Sequence, residues 1–218
     1  MARTDMHSVC ICQTSAPLTP RERLVRDAYA RIDEATGCEL ERLRREEGTA
    51  ASCRRGCCSC CGQHIQTNPA EAHALGQYIR RTFSVVRLRE LKRRTDAWLA
   101  WDSRKRSGHA PAEPDGGGEA TCCPLLVDGA CSAYPARPVI CRTHFVSSDP
   151  SACRPYSHDD PPIEAVPAVL ATVLRAAQPY ADLIRDDVEG AGLDYSRSIL
   201  LLPHWLTIEM GWEVDTDP

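Results

Sequence analysis

Lysine is almost missing from this sequence. Of 26 basic residues only two, Lys92 and Lys105, are lysine. So strong a preference for arginine is what GC-rich coding DNA produces, and the arginine count alone therefore does not point to a polyanionic partner. The net charge of −4 argues the same way for the chain as a whole. Aromatic residues are also scarce, at 6%. The one dense basic stretch, Arg80–Arg106, sets ten basic residues against three acids with little more than Trp98 and Trp101 interleaved. It reads as the solvated face of a helix, and nucleic acid is not an expected partner. No run of ~18 apolar residues exists, which excludes a membrane-spanning helix. Met1–Pro20 carries no apolar core and no cleavage pattern of a secretory signal, so the expected location is cytoplasmic. No H-E-x-x-H motif, phosphate-binding glycine loop or Ser/His/Asp arrangement supports hydrolase or kinase chemistry.

What the sequence has in excess is cysteine, with 13 among 218 residues. A reducing compartment disfavours disulfides, and an odd count with vicinal pairs suits them poorly. Thiols packed this tightly are usually held by metal. The densest group is C-R-R-G-C-C-S-C-C, in which Cys53, Cys57, Cys60 and Cys61 form C-x3-C-x2-C-C. A two-residue gap lets one backbone turn aim both thiolates at the same metal while its amides point at the sulfurs. Gly56 would relieve crowding before that turn. Adjacent Cys60 and Cys61 point in different directions in most backbone conformations, so they more easily serve two metal centres, or one centre with the second thiol beside it. The second group is sparser: Cys122, Cys123, Cys131, Cys141 and Cys153. Cys10 and Cys12, as C-I-C, read as exposed thiols.

These residues fall in the order of a known pattern. C-x-x-G-C-x-x-C-C is followed by C-P-L-L-x-D-G-x-C-x-x-Y-x-x-R-P-x-x-C-R and a further cysteine. That order resembles the YkgJ-type cysteine-cluster family, described as a zinc- or iron-chelating domain. The resemblance covers about half the chain, Cys53 to Cys153. It implies Cys53, Cys57, Cys60 and Cys61 as a first ligand group and Cys123, Cys131, Cys141 and Cys153 as a second. Tyr134, Arg137, Pro138 and Arg142 carry over as motif residues without a role. Cys58, Cys122 and a long insert before Cys122 depart from the pattern, and either extra cysteine could replace a ligand. Cys53, Cys57 and Cys60 also reproduce the C-x3-C-x2-C spacing of radical S-adenosylmethionine enzymes, but no alternation of strands and helices follows to build their barrel. Flagellin lysine N-methylases look similar in carrying a related cluster.

The cofactor expected is an iron–sulfur cluster, [4Fe–4S] in type, or zinc. Vicinal cysteines and surplus thiols tilt the choice to iron–sulfur. Whether the chain is an enzyme is left open. The alternatives to a metal-site protein are an iron–sulfur enzyme, for S-adenosylmethionine-dependent methyl transfer or redox modification, and a metal or electron carrier. A protein partner or an acidic small-molecule substrate is compatible with each. Arg137 and Arg142, flanking Cys141, either offset the thiolate charge or grip an acidic substrate, or else fix the loop by salt bridges. His64 and His144 are expected beside the metal rather than on it.

The expected fold is mainly α with a small irregular cysteine-rich α+β metal-binding module. Residues 1–18 read as a flexible leader and 19–160 as the cysteine-cluster domain with flanking helices. Residues 161–218 read as a helix and docking tail packed on the same core. Thr19-Pro20-Arg21-Glu22 is a helix start with a capping box. Its apolar set Val25, Ala28, Tyr29, Ile32 resumes at Leu40 and Leu43, with Gly48 as the stop. Asn68-Pro69-Ala70-Glu71 starts a second helix to about Phe83, and Ser84 a third. Ser107–Ala120 reads as a flexible loop. Thr121–Val127 is a strand candidate, Asp128-Gly129 a hairpin turn, and Pro135 and Pro138 break regular structure before Cys141. Pro161–Arg185 reads as a helix kinked at Pro167 and Pro179, with Val169, Leu170, Val173 and Leu174 facing the core. Ser198–Trp212 is a strand pair or a docking segment around Trp205.

Overall fold

The computed structural model describes residues 17–54, 56–107, 121–153 and 166–213. Cys10, Cys12 and nearly all of the 107–120 loop lie outside them, as do residues 161–165 of the fourth expected helix. Among the described residues the chain is mainly helical, with six α-helices and two small antiparallel sheets. None of the helices is long and apolar enough to cross a membrane.

The first helix, α1, runs Pro20–Glu46 without a break at Gly37. Thr19 caps it through Oγ1, which accepts the Glu22 amide at 3.1 Å. The capping box is only half formed, because the Glu22 carboxylate turns away to Arg81 of the next helix. At the other end Gly48 takes φ +64, and the Thr49 amide reaches back to the Leu43 carbonyl at 3.1 Å. That left-handed step is cheap only for glycine. α2 (Pro69–Thr82) starts at Asn68, whose Oδ1 accepts the amides of Ala70 and Glu71, both at 3.0 Å. Phe83 and Ser84 then turn the chain directly into α3 (Val85–Arg106).

Two short sheets follow. β1 (Gln66–Thr67), just before α2, pairs with β4 (Leu200–Leu201), which opens into α6 (Leu202–Met210). β2 (Leu126–Val127) and β3 (Ala130–Cys131) form a hairpin whose turn residues Asp128 and Gly129 both have positive φ, 49 and 73°. Such a turn matches the twist of the strands it joins. The strand expected over Thr121–Val127 is thus only two residues long. Pro135 and Pro138 do not exclude a regular element either. Pro138 starts α4 (Val139–Thr143), a helix of five residues that contains Cys141.

The fourth expected helix begins later than its sequence suggests. α5 is Ala171–Gly190 and runs on through Pro179. Pro167 lies ahead of it, in an extended stretch where Val169 bridges to Val146. Val169 and Leu174 are consequently 44 and 42% exposed, not core. The buried stripe is Val173, Ala177, Ile184 and Val188. The tail is a short strand followed by a helix, with the Trp205 indole N–H donating to the Thr67 carbonyl at 3.1 Å.

α2 divides the interior in two. Ala70 and Ala74 join Val25, Ala28, Tyr29, Ile32 and the α5 stripe in one cluster. Leu75 and Ile79 join Leu91, Leu125, Ala133, Leu202 and Leu206 in the other, against which Cys123 and Cys131 pack. The middle of the chain therefore has an apolar core, completed by Leu202 and Leu206 of α6.

One buried carboxylate links these parts. Glu71 Oε1 accepts the Tyr29 hydroxyl of α1 at 2.9 Å and the Val139 amide of α4 at 2.6 Å. Its Oε2 accepts the Thr67 hydroxyl at 3.1 Å and the Asn68 amide group at 2.7 Å. Burial pushes the carboxyl above the usual range, while these donors and the nearby Arg142 pull the other way. Glu71→Gln would place an N–H₂ against two buried donors. It is expected to lower stability by about 3 kcal/mol, since each stranded buried donor costs ~1–3 kcal/mol. Urea unfolding checks this, with a lower midpoint and an unchanged slope.

Candidate metal centre

Cys38 stands exposed on α1, and four separate stretches carry the remaining described cysteines. Cys53 to Cys61 lie in the connection from α1 to α2, Cys123 and Cys131 at the β2–β3 hairpin, Cys141 in α4, and Cys153 at the end of a 3-10 turn, Pro150–Cys153. All eleven described cysteines are free thiols, so no disulfide frames this region.

Backbone hydrogen bonds fix these stretches against one another. The Ser52 amide donates to the Val146 carbonyl at 2.9 Å, and the Val146 amide returns to Cys53 Sγ at 3.4 Å. Val146 is itself bridged to Val169, so α5 steadies this edge. The Cys57 amide closes a turn on the Arg54 carbonyl at 2.9 Å. Gly56 sits in that turn at φ +85, with nothing within 4 Å of where a Cβ would stand. Its use is the left-handed dihedral rather than relief of crowding. Cys60 and Cys61 follow in a 3-10 turn, Ser59–Gly62, closed by the Cys61 amide on the Cys58 carbonyl at 2.9 Å. The Cys123 amide donates to the Cys61 carbonyl at 2.7 Å, which ties the hairpin to this turn. The Gln63 amide group donates to the Cys153 carbonyl at 2.7 Å.

The thiols gathered in this way perturb one another. Burial pushes up Cys53, Cys123, Cys131, Cys141 and Cys153, with Cys123 raised to about 12. Neighbouring thiolates raise Cys53, Cys123, Cys141 and Cys153 further. Cys60 moves the other way, to about 7, because the Cys61 thiol donates a hydrogen bond to it. Cys61 is pushed far up for the same reason. Among the described residues, no three Cys, His, Asp or Glu side chains close on a single point as a bound ion would require.

The flanking residues also find places. Arg142 is 2% exposed and serves the loop. Its guanidinium donates to Asp33 of α1 at 2.6 Å, to the Arg137 carbonyl at 2.9 Å and to the Pro135 carbonyl, and it lies 3.9 Å over the Tyr29 ring. Arg137 stacks 3.8 Å over Tyr134 and donates to the Tyr134 carbonyl at 3.1 Å. Both positive charges still reach Cys131, where they favour the thiolate. Of the roles weighed for these arginines, the loop-fixing one is seen in their contacts. His144 stands 3.7 Å from Cys153 Sγ through Nε2. His64 packs edge-on against Trp98 and Trp101, with ring centres 5.7 and 5.9 Å away. In the basic stretch, Arg81 pairs with Glu22, Lys92 with Asp96, Arg93 and Arg94 with Glu90, and Arg106 with Asp102.

Glu71, Gln63 and Val146 support the site without having been visible as site residues. Glu71 had a signal, its place three residues after Asn68, but that signal reads as a helix cap. Comparison with protein-family models, curated proteins and solved structures found no match.

In the reduced, metal-free chain, Cys60 is expected to alkylate half-maximally near pH 7, because its thiolate forms above about 7. Cys123, raised to about 12, stays unlabelled at pH 8. Cys61→Ala removes the donor and moves the Cys60 profile to higher pH. Peptide mapping after iodoacetamide pulses reads all three.

Proposed function

We propose that this chain is a metal-binding protein that holds an iron–sulfur cluster or zinc on Cys53, Cys57, Cys60, Cys61, Cys123, Cys131, Cys141 and Cys153. The observation that carries the reading is the gathering of free thiols from four stretches into a region where their charges act on one another. Apart from metal, such crowding has no stabilising purpose: burial and mutual repulsion both oppose the thiolates. A thiophilic cation among them would reverse both effects and draw off the protons. The donor set is wholly of soft sulfur, which suits zinc or iron–sulfur centres rather than magnesium or calcium.

The iron–sulfur form is favoured. A single zinc draws its four sulfurs to roughly 3.8 Å from each other, given Zn–S bonds of about 2.3 Å. An iron–sulfide core stands between its ligands and accepts a wider spacing. The motif order that resembles the YkgJ-type family agrees with a chelating role. With only two-stranded antiparallel sheets among the described residues, nothing there resembles a radical-enzyme barrel.

The protein purified without oxygen should be brown, absorb near ~400 nm, and carry stoichiometric iron and sulfide. A colourless protein with stoichiometric zinc selects the other form, and the absence of both metals overturns the proposal. Cys57→Ser and Cys60→Ser should lose metal and lower the melting temperature. Cys10→Ser, Cys12→Ser and Cys38→Ser should do neither.

A further inference from the structure

The first turn of α3 is bare where a helix packed on a core would be covered. Val85 and Val86 are 63 and 73% exposed, and among the described large apolar side chains only Val166 is more so. They are not needed to start the helix, which Ser84 caps by accepting the Arg87 amide at 3.4 Å. Val86 lines a groove of about 190 Å³ between α3 and the β2–β3 hairpin. Phe83 and Leu91 join it on the helix side, with Pro124, Val127 and Ser132 opposite. A pocket for a cofactor or metabolite usually holds roughly 300–1,000 Å³. This groove is too small for that, and suits one or two apolar side chains of a larger partner.

Charge borders this apolar lining, and its sign is out of keeping with a chain of net charge −4. From Arg80 to Arg94 there are seven basic residues and one acid, Glu90. Glu90 is already shared by Arg93 and Arg94, while Arg81 and Lys92 find carboxylates outside the stretch, at Glu22 and Asp96. Arg87 and Arg89 have no carboxylate among the described residues. The Arg87 guanidinium lies 4.1 Å over the Phe83 ring, so uncompensated positive charge sits directly on the groove. Apolar anchors beside such arginines call for acid on the partner. Nucleic acid fits less well: Phe83 is 9% exposed beneath Arg87 and offers no open ring to a base. We propose that the groove docks an acidic segment of another protein, which seats one or two apolar side chains among Val86, Leu91 and Val127 and sets its carboxylates against Arg87 and Arg89. Pro124 and Ser132 directly follow Cys123 and Cys131, so the docked segment lies against the hairpin that carries those thiols. The docking does not depend on whether the thiols hold metal.

Fluorescence anisotropy of labelled peptides on the full chain, purified without oxygen, tests this. The probes are short Glu- and Asp-rich peptides with two leucines, adjacent in one and a helical turn apart in the other. In the controls the leucines become alanine or the acids become lysine. At least one probe should bind saturably with a Kd below ~100 μM and more weakly as salt is added. Both controls should bind at least ~10-fold more weakly, as should the probe on Val86→Asp or on the double variant Arg87→Glu, Arg89→Glu. These side chains are exposed, so circular dichroism and melting temperature should not change. If a variant does unfold, the two control peptides on the unsubstituted chain decide. No saturable binding of either probe up to ~1 mM overturns the proposal, as does equal binding of the controls or by folded variants. Tighter binding of a single-stranded oligonucleotide, lost with Arg87 and Arg89, overturns it in favour of nucleic acid. A dimer in sedimentation that Val86→Asp separates makes a second copy the occupant, and overturns it equally.

Discussion

The carboxylate of Glu71 is the point from which the rest of this structure can be built. It is 4% exposed and accepts from α1, from the β1–α2 junction and from α4. A buried anion without donors would be intolerable, and its four donors come from three segments, two of them, at Tyr29 and Val139, far from it in sequence. Satisfying it therefore fixes the relative placement of those segments within a hydrogen-bond length. α4 is only five residues long and could not hold its place by apolar burial alone. Through the Val139 amide it borrows the rigidity of α1 and α2, and Cys141 inherits that position two residues later. Arg142 completes the attachment by reaching Asp33 on α1.

The cysteine region is thus held by its surroundings on each side. α4 anchors Cys141, the hairpin packs Cys123 and Cys131 on the second apolar cluster, and the Val146–Val169 bridge steadies Cys53. Short irregular loops keep their shape here because helices and backbone bonds fix their ends. The helices α1, α2, α5 and α6 supply the framework on which the thiols are brought together, and burial keeps Cys53, Cys123, Cys131, Cys141 and Cys153 in their neutral form.

Much of this was legible in the sequence wherever the signal was local. Thr19, Asn68 and Ser84 announced three helix starts, and Asp128-Gly129 announced the hairpin, because caps and tight turns act within a few residues. Signals that depend on distant partners were misread. Glu22 and Glu71 occupy cap-box positions, yet their carboxylates serve Arg81 and a buried donor cluster. Pro179 is tolerated inside α5 because packing on α1 compensates for one missing hydrogen bond. Val169 and Leu174 looked like a core face only because the helix start was placed too early. The cysteine motif was plain as a list of donors. Which turns stack, with the Cys153 turn on the Cys60–Cys61 turn and the Cys123 amide on the Cys61 carbonyl, has no local signature.

The pairing of α1 with α5 has a consequence for how the chain is made. The first helix leaves the ribosome with Val25, Ala28 and Ile32 bare, and the helix that covers them comes after every cysteine has emerged. Until then the nascent chain displays an apolar stripe and a complete set of reduced sulfurs together. Vectorial synthesis thus exposes the thiols to whatever oxidant or metal is nearby before the framework that spaces them is closed. The face of α1 is closed only once α5, which follows every cysteine in the chain, has been made.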